Sequence, residues 1–141
     1  FGRTSHPTFD GTPPSDPAQM VLEFLADYKV WSDFASSEYA KSSKFTLADK
    51  AYDALILKYC GPGKDRQLIT FSSDPSFNPQ TDTIANIDRS EDLVVVRVKH
   101  GNRGWDECIY EFDFHFRGDR WVLDEVYYLD EFDQNARLKM L

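Results

Sequence analysis

Hydrophobic and polar residues alternate with period two on both sides of a short turn at Gly118-Asp119. Such alternation is typical of two half-buried antiparallel strands. If Arg117 faces Arg120 across the turn, a constant register gives four further facing pairs. These are Phe116 with Trp121, Phe114 with Leu123, Phe112 with Glu125, and Tyr110 with Tyr127. The pattern therefore predicts a hairpin with one aromatic face that another element must cover.

The second face of this hairpin is partly acidic. Alternation assigns to it Ile109, Glu111, Asp113, His115, Val122, Asp124, Val126 and Tyr128. In a constant register Asp113 lies opposite Asp124, and like charges that face each other across a strand pair cost stability. We therefore expect an outward face whose carboxylates are available for another role.

Two helices are predicted before the strands. Asp16 is a capping residue, Pro17 suits a first helical turn, and Gln19 has capping-box spacing. An apolar stripe at helical spacing follows: Val21, Phe24, Leu25, Tyr28, Trp31 and Ala35. The second helix is predicted to begin at Thr46 and to end at Gly61-Pro62, a pair that stops helices.

Short strands are predicted in the rest of the chain. One covers 66–72, and a hairpin joins 83–88 to 93–99, with Val94, Val96 and Val98 on one face. The tail after Asp130 has weak helical character. Helices grouped before about five strands predict an α+β fold, with the helices on one face of a mostly antiparallel sheet. A curved sheet wrapped around the first helix would form a cone, whose open end often holds a pocket.

Composition narrows the class of partner. The chain has 141 residues and a formal net charge of -8, which disfavours nucleic acid as a direct partner. It contains neither an apolar run of membrane-spanning length nor a recognisable signal peptide, so we expect no membrane association and a cytoplasmic location, with the periplasm left open. Cys60 and Cys108 form no metal motif and are expected to be small buried side chains.

Glu125 is the residue on which an enzyme hypothesis depends. A constant register places it among Tyr110, Phe112 and Tyr127, where burial would raise the pKa of its carboxyl group and suit it to acid–base chemistry. Two alternatives stay open: Glu125 forms a salt bridge at the open end of the cone, or a β-bulge turns it outward. No residue pattern indicates a metal or an organic cofactor.

Several segments resemble the bacterial immunity proteins of the nuclear transport factor 2-like fold, which neutralise polymorphic toxins. They are FLADYKVW at 24–31, AYDALILKYCGPG at 51–63, ITFSSDPSFNP at 69–79 and GDRWVLDEVYYLD at 118–130. The resemblance implies a single domain over 16–141 with a cone-shaped sheet. Residues 1–15 have no counterpart in that family. We expect them to be an extended arm, or residues left from an expression vector, without a role in the core.

The resemblance also implies a binding protein without catalysis of its own. A toxin that degrades nucleic acid has a basic catalytic surface, because it must hold phosphates, so an acidic inhibitor can compete for its active site or its substrate path. The candidate contact residues are Glu111, Asp113, Asp124, Tyr128, Asp130, Glu131 and Asp133. Two alternatives are a small-molecule enzyme or carrier that uses the pocket around Glu125, and a scaffold that forms homodimers.

Overall fold

The structure is a computed structural model that describes residues 6–9, 11–68, 77–100, 108–129 and 137–141. It contains α1 (Pro17–Ser42), α2 (Thr46–Cys60), β1 (Asp82–Arg89), β2 (Leu93–His100), β3 (Cys108–Arg117), β4 (Arg120–Leu129) and β5 (Arg137–Lys139). The strands form one antiparallel sheet in sequence order. The predicted α+β class, with two helices packed on an antiparallel sheet, is confirmed.

Helix α1 begins as its sequence predicts. The Asp16 carboxylate accepts hydrogen bonds from the backbone N–H groups of Ala18 (3.1 Å) and Gln19 (3.3 Å). These bonds satisfy donors that the first turn of a helix otherwise leaves without partners. The predicted apolar stripe is buried along its whole length. It lies against α2 and the sheet, and α1 is therefore the central element of the core.

Helix α2 is capped by a side chain of α1. The predicted first residue, Thr46, is correct, but the Glu38 carboxylate accepts from the N–H groups of Leu47 (2.9 Å) and Ala48 (2.8 Å). A negative charge at this position also interacts favourably with the helix dipole. The helix ends where Gly61 adopts a φ of 76°, a conformation that favours glycine. The cap therefore fixes the helices to each other as well as ending one of them.

A charged cluster connects the other ends of the two helices. The Lys58 ammonium group contacts Glu23 (2.6 Å) and Asp27 (2.8 Å), and the Tyr59 hydroxyl donates to Asp27 (2.6 Å). Burial acts to lower the pKa of Lys58, but its hydrogen bonds to Asp27 and Glu23 outweigh burial and raise that pKa. The cluster is thus a stabilising contact between α1 and α2.

Aromatic rings fill the space between α1 and the sheet. Phe77 is buried, and its ring centroid lies 4.8 Å from those of Tyr28 and Tyr110, 5.5 Å from Phe24 and 5.8 Å from Phe112. The sheet contributes Val94, Val96 and Val98 from β2, Tyr110, Phe112 and Phe114 from β3, and Leu123 and Val126 from β4 to the same core. The interior position in which the sequence predicted a pocket is therefore occupied by side chains.

Two strands each contain one extra residue. In β4 the partners step from Phe114–Leu123 to Asp113–Glu125, so Asp124 forms a bulge. In β1 they step from Ile84–Val98 to Asn86–Arg97, which leaves Ala85 as the bulge. Because side chains alternate between faces, one extra residue reverses the orientation of everything beyond it.

The structure differs from three further predictions. The tail predicted to be weakly helical contributes β5 at Arg137–Lys139, whereas 66–68 of the predicted strand over 66–72 has no regular structure and 69–72 lies outside the described residues. Phe9, in the arm expected to have no core role, packs against the core.

Candidate functional site

The bulge in β4 rearranges the predicted acidic face. The predicted pairings Phe116–Trp121 and Phe114–Leu123 are confirmed, but Tyr110 faces Tyr128 and Phe112 faces Val126. The prediction that Tyr128 lies on the outer face is wrong, since its ring lies 5.8 Å from that of Tyr110 and packs against the core. This residue is therefore part of the interior side of the sheet.

The predicted acidic residues lie among basic ones. Glu111 is only 7% exposed and forms an ion pair with Arg97 (3.4 Å). Asp113 is half-buried and faces Glu125 instead of Asp124. The Asp124 carboxylate contacts Arg117 (3.1 Å) and lies 3.7 Å from a ring nitrogen of His115. This face is therefore polar with mixed charge, and the prediction of an acidic outer face is wrong.

Three other candidate contact residues, Asp130, Glu131 and Asp133, lie outside the described part of the chain. Their role in binding stays a prediction.

The predicted pocket residues separate into two places. Tyr110 and Phe112 are buried in the core, whereas Glu125 and Tyr127 lie on the opposite side of the sheet, at a surface cavity. Glu125 is 2% exposed and contacts the Lys64 ammonium group at 2.6 Å. A salt bridge and a bulge, the two alternatives left open by the sequence, therefore both occur. The predicted placement of Glu125 beside Tyr110 and Phe112 is wrong, whereas Glu125 and Tyr127 line the same cavity.

A partly exposed aromatic pair lies at the end of the sheet that carries the β1–β2 and β3–β4 turns. Phe116 is 42% exposed, and its ring centroid lies 5.3 Å from that of the half-buried Trp121. The Phe116 backbone N–H donates to the Asp92 carbonyl (3.0 Å), which holds the two turns side by side. We name this region, comprising 88–92, Phe116, 118–119 and Trp121, the turn surface.

Carboxylates predominate on the turn surface. Asp88, Glu91, Asp92 and Asp119 are exposed, and none of them forms an ion pair with another described residue. Two of the neighbouring arginines are already paired, Arg89 with Asp16 (3.3 Å) and Arg117 with Asp124 (3.1 Å). Arg120 is exposed beside them. The turn surface therefore combines an aromatic centre with an acidic rim.

Sequence reasoning missed the turn surface because it assigned Phe116 and Trp121 to the face that the helices cover. The available signal was their position next to the turn. Two facing residues at the tip of a long hairpin lie beyond the helices when those helices pack on the middle of the strands.

A cavity of about 460 Å³ lies between the segment that follows α2 and the bulged part of β4. Lys64, Glu125, Tyr127 and Lys139 line it, together with the Cys60 thiol. Burial raises the pKa of this thiol to about 12, opposed by the Lys64 ammonium group and reinforced by Glu125 and Asp124. Cys60 is therefore a protonated, unreactive thiol near neutral pH.

The raised pKa of Cys60 predicts a loss of stability at alkaline pH. The folded state holds this proton more tightly than the unfolded state does, and this difference stabilises the fold fully below the ordinary thiol pKa of 9.0. The stabilisation is lost as the pH rises from 9.0 towards about 12. The free energy of unfolding should therefore fall with a slope of up to about 1.4 kcal/mol per pH unit from this thiol. Urea unfolding between these pH values measures it in a Cys108→Ser background.

The control is Cys60→Ala in the same Cys108→Ser background. Its stability should fall less steeply over this range, because the buried thiol no longer ionises on unfolding. Parallel pH profiles for the two proteins would contradict the assignment.

Comparisons with family models, curated proteins and solved structures found no match to this chain. Among the described residues, no group of three or more histidine, cysteine, aspartate or glutamate side chains is arranged to hold a metal ion. Neither described helix has the length and apolar character needed to cross a bilayer.

Proposed function

We propose that this protein is an immunity protein of the nuclear transport factor 2-like fold, which binds a basic bacterial toxin and blocks its active site or substrate path. It acts by binding and carries out no reaction of its own. The single observation that carries the proposal is the turn surface, where the exposed Phe116 and the half-buried Trp121 lie beside carboxylates that lack described ionic partners.

The chemistry of the turn surface suits a cationic protein. Binding energy at protein interfaces is concentrated in a few residues, often aromatic, that become fully buried and are surrounded by a polar rim. Phe116 and Trp121 supply the centre, and Asp88, Glu91 and Asp92 belong to the rim. The net charge of -8 adds long-range attraction for a basic partner and speeds their encounter.

The proposed contact region differs from the one inferred from sequence. Glu111 and Tyr128 contribute to the sheet rather than to binding, because one is nearly buried beside Arg97 and the other packs on the core. Asp124 stays a candidate through its 46% exposed side chain next to Arg117. Asp113 is a weaker candidate, since it is half-buried.

Co-expression tests the function directly. A toxin gene adjacent to this one should be lethal in a host cell when expressed alone and harmless when this protein is present. The two proteins should also co-purify as a complex whose association slows as salt concentration rises. The proposal fails if the protein gives no protection against any neighbouring toxin.

Phe116→Ala should weaken toxin binding by about 30-fold or more, the effect expected when a central aromatic residue of an interface is truncated. The fold should be retained, because the ring is 42% exposed and lies at the edge of the core. Surface plasmon resonance with the purified toxin measures the change.

Tyr39→Ala is the matched control. Tyr39 has a similar exposure of 45% and stacks on Phe45 near the opposite end of α1 from the turn surface. It should bind toxin with unchanged affinity. Equal affinities for the Phe116→Ala, Tyr39→Ala and unaltered proteins would exclude the turn surface as the interface, even if co-expression still protected the cell.

A further inference from the structure

Ion pairs hold the segment after α2, which forms one wall of the cavity, to both α2 and β4. On one side, Arg66 forms ion pairs with Asp49 and Asp53 and so fastens the segment after α2 to that helix. On the other side, Lys64 of the same segment contacts Glu125 of β4. The cavity volume of about 460 Å³ is in the range of small-molecule sites. The cavity is therefore a preformed space.

The Glu125 carboxylate is buried and hydrogen-bonded through both of its oxygens, so a ligand has little access to it. One of its carboxylate oxygens accepts from Lys64 (2.6 Å), and the other accepts from the backbone N–H groups of Val126 (3.0 Å) and Leu141 (2.9 Å). The side chain is also 3% exposed. Glu125 therefore positions Lys64 and presents little acceptor capacity to the cavity.

Hydrogen-bond donors remain available around the same space. The Lys64 ammonium group carries three N–H donors, and Glu125 is its single partner among the described residues. Lys139 lines the cavity, is exposed, and has no ionic partner in the described ranges. Arg117 uses one terminal nitrogen to contact Asp124, which leaves its other N–H groups for a ligand.

The formal charges of the lining balance, three cations (Lys64, Arg117 and Lys139) against three carboxylates (Asp65, Asp124 and Glu125), so the excess of donors is one of hydrogen-bonding capacity. Asp124 already contacts Arg117 and lies near His115. Asp65 is the remaining carboxylate of the lining, and it is exposed to solvent. A ligand entering the cavity thus meets more unused donors than unused acceptors.

We infer that this cavity binds a small organic anion, through a carboxylate or phosphate group held by Lys64, Lys139 and Arg117. The body of the ligand would lie along Tyr127 and Val122, which line the same wall. Lys64 is held in place by Glu125 before the ligand arrives, which lowers the entropy lost on binding.

This inference is independent of the proposed toxin binding, because the turn surface and the cavity use different residues. Arg117 approaches both regions, so a substitution there would not separate the two proposals. A protein that protects against a toxin without binding an anion, or the reverse, separates the two proposals.

Titration with citrate and with inorganic phosphate, followed by amide chemical shifts in ¹H–¹⁵N NMR spectra, tests the inference. Choline chloride at matched ionic strength is the cationic control. Shifts should concentrate at the amides of 63–65, 122–127 and Lys139, with a dissociation constant of about 1 mM or below for at least one of the two anions. A response to citrate alone indicates a carboxylate ligand, and a response to phosphate alone indicates a phosphate ligand.

Lys139→Gln should weaken this binding about tenfold and leave the fold intact, because Lys139 is exposed and forms no described ion pair. Lys50→Gln is the matched control, since it removes one exposed charge from α2, away from the cavity lining, and should bind as the unaltered protein does. The inference is overturned if neither anion shifts these amides, if choline chloride shifts them equally, or if Lys139→Gln binds at full strength.

Discussion

Trp31→Ala should lower the free energy of unfolding by about 3–5 kcal/mol, the range observed when a large buried aromatic side chain is truncated. Trp31 is fully buried, at 0% exposure, and its ring lies 4.9 Å from Tyr52 and 5.3 Å from Tyr28. Its indole N–H also donates to the Ala48 carbonyl (2.8 Å). The substitution therefore removes both a packing contact between α1 and α2 and a buried hydrogen bond.

Two controls separate these contributions when all variants are unfolded in urea. Trp31→Phe removes the indole donor to the Ala48 carbonyl and part of the ring volume, and it should cost about 1–3 kcal/mol. Trp121→Ala removes a half-buried indole at the edge of the core and should cost less than Trp31→Ala. If Trp121→Ala destabilises the protein as much as Trp31→Ala does, α1 is not the centre of the core.

The helices could be predicted closely because their signals are local. Asp16 and Pro17 define the start of α1, and Gly61-Pro62 defines the end of α2, through interactions within a few residues. The cap of α2 could not be predicted in the same way. It comes from Glu38, nine and ten residues before the N–H groups that it binds, and depends on how the two helices approach each other.

The predicted register of the β3–β4 hairpin is wrong beyond one residue, the bulge at Asp124, and this error misplaced the site residues that follow it. A signal was present: Leu123 and Val126 are both apolar and lie three positions apart, a spacing that period two does not allow on one face. Ile84 and Ile87 in β1 have the same spacing, and that strand also contains a bulge. The same spacing occurs without a bulge at Leu93 and Val96 in β2, so it allows a bulge but does not locate one.

The acidic face was predicted from charges counted along one hairpin, but charge pairing depends on neighbouring strands. Arg97 on β2 faces Glu111 across the sheet, and Arg117 reaches Asp124 past the turn. Neither pairing follows from alternation within β3 and β4 alone. The exposed carboxylates of the turn surface instead follow from chain reversal, since turns lie at the ends of strands where the helices do not cover them.

Lys64→Met should lower the free energy of unfolding by about 3–5 kcal/mol, because it leaves the buried Glu125 carboxylate without its cation. Two backbone N–H groups would still bind that carboxylate, and they do not neutralise its charge. Lys64→Met/Glu125→Gln should recover a large part of the loss, since the neutral amide oxygen can accept the same backbone hydrogen bonds. Urea unfolding of both single variants and the double variant measures the coupling between the two side chains. If the two single losses simply add in the double variant, Lys64 and Glu125 contribute independently and their ion pair does not stabilise the fold.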